Sequence, residues 1–204
     1  MPMPPLIRLV SAAAFAAALA GCATTANVPL AKPTAQVGAY RDTIDLNGRL
    51  AANYQKDGQP QSINGSFTWM QRPGRIDVSL FSPLGQTVAE ITVTPETATL
   101  TQSGRAPRVE KDIDTLTANA LGWTLPVSGL RDWLQGYAVD ASGKRFIASP
   151  AHDSVVTNDG WRLRFVEWQN GPNGNPMPRR IDAERSTTAV GDALTIRIVI
   201  DPVA

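Results

Sequence analysis

Cysteine and histidine are nearly absent from this chain: Cys22 and His152 are the only ones in 204 residues. A single cysteine excludes an intramolecular disulfide, so stability has to come from a packed core. One cysteine and one histidine also fall short of a typical zinc site, so no metal is expected. No glycine-rich phosphate loop or dinucleotide fingerprint occurs, and no nucleotide or other cofactor is expected. Nineteen Lys and Arg stand against eighteen Asp and Glu. That balance argues against a nucleic-acid partner, which demands a basic face, and against a polybasic membrane anchor. An apolar run of the ~20 residues needed to span a bilayer is also lacking. His152, Asp153 and Ser154 stand in a row, but catalytic triads assemble from separated positions. Beside Pro150, His152 reads as a turn residue. Asp112 and Asp114 form a carboxylate pair, yet a helix N-terminus attracts Asp through its dipole alone. Carboxylate-only catalysis stays open, but nothing in the sequence points to an enzyme.

What is present begins at the N-terminus. Arg8 precedes an Ala-rich apolar stretch, Leu9 to Ala20, with the length of about a dozen residues that a secretory signal uses. It ends in Leu19-Ala20-Gly21-Cys22. A small-residue site closing on the only cysteine resembles the processing site of a bacterial lipoprotein; the alternative is an ordinary signal peptide with an incidental Cys. The resemblance implies cleavage before Cys22, a lipid on its thiol and a further acyl chain on its amine. Residues 1–21 are then the signal peptide, and roughly 180 residues remain, enough for one domain. Residues 22–41, rich in Ala, Thr and Pro without periodicity, read as the lipidated N-terminus and a flexible tether. Ala23 stands where Asp would retain such a lipoprotein in the inner membrane, which favours the outer membrane.

Residues 42–204 read as the folded domain. Leu46, Gly48 and Leu50 alternate with polar neighbours, as do Ile63, Gly65, Phe67 and Trp69, and then Ile76, Val78 and Leu80. Asp57-Gly58 suits a hairpin connection between the first two runs. Val88–Val93 and Thr97–Thr101 follow, and Trp161, Leu163, Phe165 and Leu194, Ile196, Ile198, Ile200 repeat the pattern near the end. Alternation of this kind predicts an antiparallel sheet with one apolar face, and a twisted sheet of many strands curls toward a barrel. Ile113, Leu116, Thr117, Ala120 and Leu121 instead carry helical spacing, with Asp112 as N-cap and Gly122 as the residue past the end. A second short helix follows Pro126, with Leu130, Trp133 and Leu134 on one side and Gly136 ending it. The expected fold is mainly β: a half-open, incomplete antiparallel β-barrel covering a hydrophobic cavity, with a helical lid.

The sixteen residues from Leu121 to Gly136, LGWTLPVSGLRDWLQG, closely resemble the LolB family of outer-membrane lipoproteins. Ser82-Pro83-Leu84-Gly85 is similar to the family's Asn-Pro-Leu-Gly turn, with Ser82 in place of Asn. Gly65 to Trp69 resembles its Gly-x-Phe-x-Trp strand, Met177-Pro178 precedes the penultimate strand, and Ile196 to Asp201 resembles the closing one. The similarity runs from about Leu46 to Asp201. It implies a protein anchored by lipid on Cys22 to the periplasmic face of the outer membrane. Such a protein takes lipoproteins from a LolA-like periplasmic carrier and inserts them into the inner leaflet without nucleotide. The partners implied are that carrier, the cargo's acyl chains and outer-membrane phospholipid, with the protein a monomer.

Acyl-chain cavity residues would then be Phe67, Trp69, Ile76, Val78, Leu80, Leu116, Leu130, Trp133, Trp161 and Leu163, although the same pattern describes an ordinary core. Leu84, at a hairpin tip with Pro83 and Gly85 shaping the turn, reads from the residues alone as an incidental exposed leucine. The resemblance makes Pro83, Leu84 and Gly85 a membrane-insertion loop. Competing readings are a glycolipid or free-lipid binder with a similar half-barrel, an assembly lipoprotein with a filled core, an esterase, and the soluble carrier itself, which Cys22 argues against.

Overall fold

A computed structural model describes residues 33–56, 58–121, 126–186 and 193–202. The expected alternating runs all become strands: β1 (Ile44–Lys56), β2 (Gln59–Arg72), β3 (Arg75–Phe81), β4 (Thr87–Val93), β5 (Ala98–Thr101), β10 (Arg162–Asn170) and β12 (Ala193–Ile200). Five further strands complete the described set: β6 (Arg108–Glu110), β7 (Tyr137–Val139), β8 (Arg145–Ile147), β9 (Ser154–Val156) and β11 (Pro176–Ser186). Ten of them form one antiparallel sheet in the order β6-β5-β4-β3-β2-β1-β12-β11-β10-β9, while β7 and β8 make a separate ribbon. The first and last strands of the domain meet in the middle of the sheet, Leu50 opposite Ile198 and Ala52 opposite Ile196. The edges, β6 and β9, do not pair with each other, so among the described residues the sheet stays open. Each edge strand is only three residues long, which limits the unpaired backbone offered to other chains.

Period-two alternation sorts the side chains as expected. Ile44, Leu46, Phe67, Trp69, Val78, Ile91, Leu100, Ile181, Leu194, Ile196, Ile198 and Ile200 are buried on the inner face. The outer face carries ion pairs: Arg72 with Asp45, Arg75 with Asp77, Arg162 with Glu184, and Asp182 between Arg180 and Arg197.

The two helices lie between β6 and β7 in the chain: α1 (Ile113–Leu121) and α2 (Val127–Trp133). Asp112 caps α1 as expected, its carboxylate accepting from the Thr115 amide at 2.7 Å and the Thr115 hydroxyl at 2.9 Å. Those bonds hold the Asp112 carboxyl below its ordinary range. Gly122, expected just past α1, lies outside the described residues, as does Asp57 of the first hairpin. Gly136 terminates α2 with φ +82°, its N–H donating to the Trp133 carbonyl at 2.9 Å, a left-handed ending that favours glycine. Helix α1 packs on β5 and β6, and α2 on β7 and α1. The Ser128 hydroxyl ties the helices together through Asp114, at 2.8 Å.

One stretch departs from its reading. Residues 33–41, assigned by composition to the tether, are strapped to the domain. Ala151 N–H donates to the Pro33 carbonyl at 3.1 Å, Val37 N–H to the Ala148 carbonyl at 3.1 Å, and the Tyr137 hydroxyl to the Gly38 carbonyl at 2.7 Å. Gln135 exchanges two bonds with the Arg41 backbone, at 2.9 and 3.0 Å. Val37 is buried. Composition missed the strap because its anchors are backbone groups and two isolated side chains, Val37 and Tyr40, which leave no periodic signal.

Candidate functional site

The inner face of the sheet and the inner side of α2 enclose a small hollow lined by ten side chains, all apolar: Leu50, Phe67, Trp69, Val78, Leu80, Ile91, Val127, Leu130, Leu134 and Ile198. Strands β1 to β4 and β12 supply seven of them, while α2 and the residue after it supply Val127, Leu130 and Leu134, one helical stripe. The free space is only about 30 Å³, room for no more than a few water molecules. The interior is therefore as greasy as the alternation implies, but in this form the lid's own side chains fill it. The open cavity expected from the sequence is not seen.

Of the expected cavity residues, Phe67, Trp69, Val78, Leu80 and Leu130 line the hollow. Ile76 is partly buried and packs against the core cluster. Leu116, Trp133, Trp161 and Leu163 are buried away from the hollow. Trp133 meets Trp161 edge to face with ring centroids 5.7 Å apart, so these two form a packed aromatic pair. The members that sequence reading left out, Leu50, Ile91, Val127, Leu134 and Ile198, share the inward alternation or the α2 stripe. That signal was present, but it marks a face without telling lining from core.

Two buried polar groups border this region with their needs met. The Trp69 indole donates to Gln71 at 3.3 Å, and the Gln71 amide donates to the Tyr40 hydroxyl at 3.0 Å. Arg131 of α2 donates to the same hydroxyl at 3.4 Å. Tyr40 of the strap therefore touches both the sheet and the lid.

Leu84 stands at the β3–β4 tip, 88% exposed. The Gly85 N–H donates to the Ser82 carbonyl at 2.8 Å, Ser82 N–H to the Gln86 carbonyl at 2.8 Å, and Gln86 N–H to the Ser82 hydroxyl at 3.2 Å. Gly85 has φ +80°, as the left-handed residue after such a turn requires. Pro83 and Gly85 thus brace a leucine held out from the body.

His152 lies in a turn, its N–H donating to the Ser149 carbonyl at 3.0 Å and its ring packing edge to face on Phe146. The Ser154 hydroxyl donates to Asp153 at 2.8 Å. Among the described residues no cluster of His, Cys, Asp and Glu could hold a metal ion, and no helix is long and apolar enough to cross a membrane. Cys22 lies outside the described residues.

Fold and interior together define a class: open antiparallel sheets with a helical cover over an apolar interior. Residues 42–202 match the family model of the outer membrane lipoprotein LolB. The chain is 40% identical over 160 residues to the outer-membrane lipoprotein LolB of Cupriavidus taiwanensis, covering 76% of this chain and 78% of that one. It is 36% identical to that of Ralstonia nicotianae, with 91% of each chain covered. It is 31% identical to that of Chromobacterium violaceum, with 96% and 98% covered. A solved LolA superfamily protein of Nitrosomonas europaea aligns over 82% of this chain and 90% of its own at 9% identity, TM-score 0.44. The chain belongs to the LolB family. It is accordingly an outer-membrane lipoprotein that receives lipoproteins for their localization. The family acts with a LolA-type carrier and lipoprotein cargo, and its work is trafficking rather than catalysis.

Proposed function

We propose that this chain accepts the acyl chains of a lipoprotein beneath α2 and releases them to the inner leaflet of the outer membrane through the Leu84 loop. Lipid on Cys22 anchors it as a monomer, and phospholipid receives the cargo. The observation that carries the reading is the hollow whose ten lining side chains are all apolar and partly supplied by helix α2 and the residue after it.

The physics favours exchange over filling. An exposed methylene costs about 0.8 kcal/mol, so acyl chains do not cross water unshielded. In the closed form Val127, Leu130 and Leu134 occupy the place where a chain would lie. Swinging α2 outward exposes those side chains, and the incoming acyl chain covers the same sheet surface. Apolar surface replaces apolar surface, so the step is nearly balanced and needs no nucleotide. A tenfold preference over the carrier requires only about 1.4 kcal/mol.

The test is reconstitution of the anchored protein in liposomes with a carrier loaded with lipoprotein. A photoreactive residue at Phe67 should crosslink the acylated cargo, and one at the outward-facing Thr68 should not. Crosslinking of free lipid alone, or equal crosslinking from both positions, would reject the reading.

A further inference from the structure

Beside the Leu84 turn lies a second feature that the hollow does not explain. A notch of about 680 Å³ opens between the Ser82–Gly85 loop and strands β1, β2 and β12. Its charged members are Arg49 and Arg197, its neutral hydrogen-bonding side chains are Asn64, Ser66 and Ser82, and no carboxylate lines it. Pro83 forms part of its wall, so the notch shares its rim with the turn that holds Leu84 outward.

The two arginines are poorly neutralised. Arg49 is 69% exposed, and the carboxylate within its ion-pair reach is Asp201, at 4.0 Å. Arg197 donates through Nε to Asp182 at 3.1 Å, but Arg180 already engages both oxygens of that carboxylate, at 2.7 and 3.1 Å. Arg197 thus shares Asp182 with Arg180, which also pairs with Glu167 at 3.7 Å, and the Nη groups of Arg197 carry no hydrogen bond among the described residues. Guanidinium groups match phosphate oxygens with forked, charge-assisted bonds. An apolar tip beside cations is also the arrangement by which a protein meets a bilayer surface, the tip in the acyl layer and the cations at headgroup depth.

We infer that the notch seats the phosphodiester of a membrane phospholipid between Arg49 and Arg197 while Leu84 enters the acyl layer. This rests on the membrane role proposed for Leu84. The site orients the protein on the leaflet, so that the turn meets lipid at a fixed depth.

The experiment measures flotation of the mature chain from residue 22 carrying Cys22→Ala, whose membrane binding then owes nothing to an acyl anchor or to the apolar Leu9–Ala20 stretch. Vesicles of phosphatidylglycerol and phosphatidylcholine are compared with vesicles of phosphate-free galactolipid. Arg49→Gln and Arg197→Gln should each weaken binding to the phospholipid vesicles by about fivefold. Neither should change binding to galactolipid, and the double Arg→Lys variant should keep most of the affinity. Leu84→Gln should weaken binding to both kinds of vesicle alike. The headgroup site is overturned if the double Gln variant floats like its parent, or if it loses affinity equally on galactolipid. It is also overturned if the parent binds neither vesicle, or if inorganic phosphate at matched ionic strength abolishes the preference for phospholipid. Failure of the Leu84 reading looks different: Leu84→Gln then changes nothing on either vesicle, whatever the arginines do.

Discussion

Leu84 and Gly136 show how much one residue does through local chemistry. With 88% of its surface exposed, Leu84 adds nothing to the core, so Leu84→Glu should leave unfolding free energy within about 0.5 kcal/mol. The variant should still take cargo from the carrier and should fail to deliver it to liposomes. Normal delivery would remove the loop from the mechanism. Gly136 acts in the opposite way. Its φ of +82° suits glycine, and an added Cβ would lie 2.6 Å from Cγ1 of Val37. Gly136→Ala therefore strains the backbone and pushes on the strap at once, which should cost about 1–3 kcal/mol. Thermal unfolding should report it as a drop of roughly 2–4 °C per kcal/mol; an unchanged Tm would show that the strap yields freely. Both residues were legible in the sequence because turns and helix ends are written in short-range chemistry. Membership of the hollow was not. Alternation tells that Trp161 and Phe67 face inward, while only three-dimensional packing decides that Phe67 borders free space and Trp161 does not.

At the scale of elements, the long alternating strands were readable and the short ones were not. Strands β1 to β5, β10 and β12 announce themselves by period two. Strands β6 to β9 have three residues each, too few for a pattern, and exist because neighbours supply partners. Strand β11 hides its inward Ile181 and Ala183 behind two prolines and a run of charge. The lid was visible as helical spacing, yet that spacing could not say whether it stands open or shut. Leu130 offers a way to measure the closure, since it is nearly buried and lines the hollow. Leu130→Ala removes part of the lid's filling and should destabilise the protein by about 2–5 kcal/mol. The enlarged space should also take up a hydrophobic dye more tightly than the parent does. A folded variant that binds dye no better would mean that the sheet and α2 collapse onto the gap, leaving no latent room for an acyl chain.

Across the whole molecule, the outer face of the sheet is stitched by carboxylates that only function ionised, and this sets how the fold responds to acid. The Arg72 guanidinium holds the Asp45 carboxyl below its ordinary range. Arg75, aided by the Thr92 hydroxyl, does the same for Asp77. Burial alone would raise the Asp182 carboxyl, but the bonds from Arg180 and Arg197 outweigh it and the net shift is downward. These groups join β1 to β2, β3 to β4 and β11 to β12, three of the nine seams of the large sheet. A carboxyl lowered in the folded state stabilises fully above its unfolded value of about 4, and that contribution is lost as pH falls through the lowered folded value. Urea unfolding should therefore give nearly constant stability from neutral pH down to about pH 5 and a progressive loss below about pH 4. Asp77→Asn and Asp182→Asn should each start less stable at neutral pH and show a shallower acid slope, because the removed group has no proton left to take up. Slopes unchanged from the parent in both variants would place the acid sensitivity elsewhere. The apolar hollow contains no titrating group among its lining residues, so dye uptake into Leu130→Ala should hold steady across the range where the fold is intact.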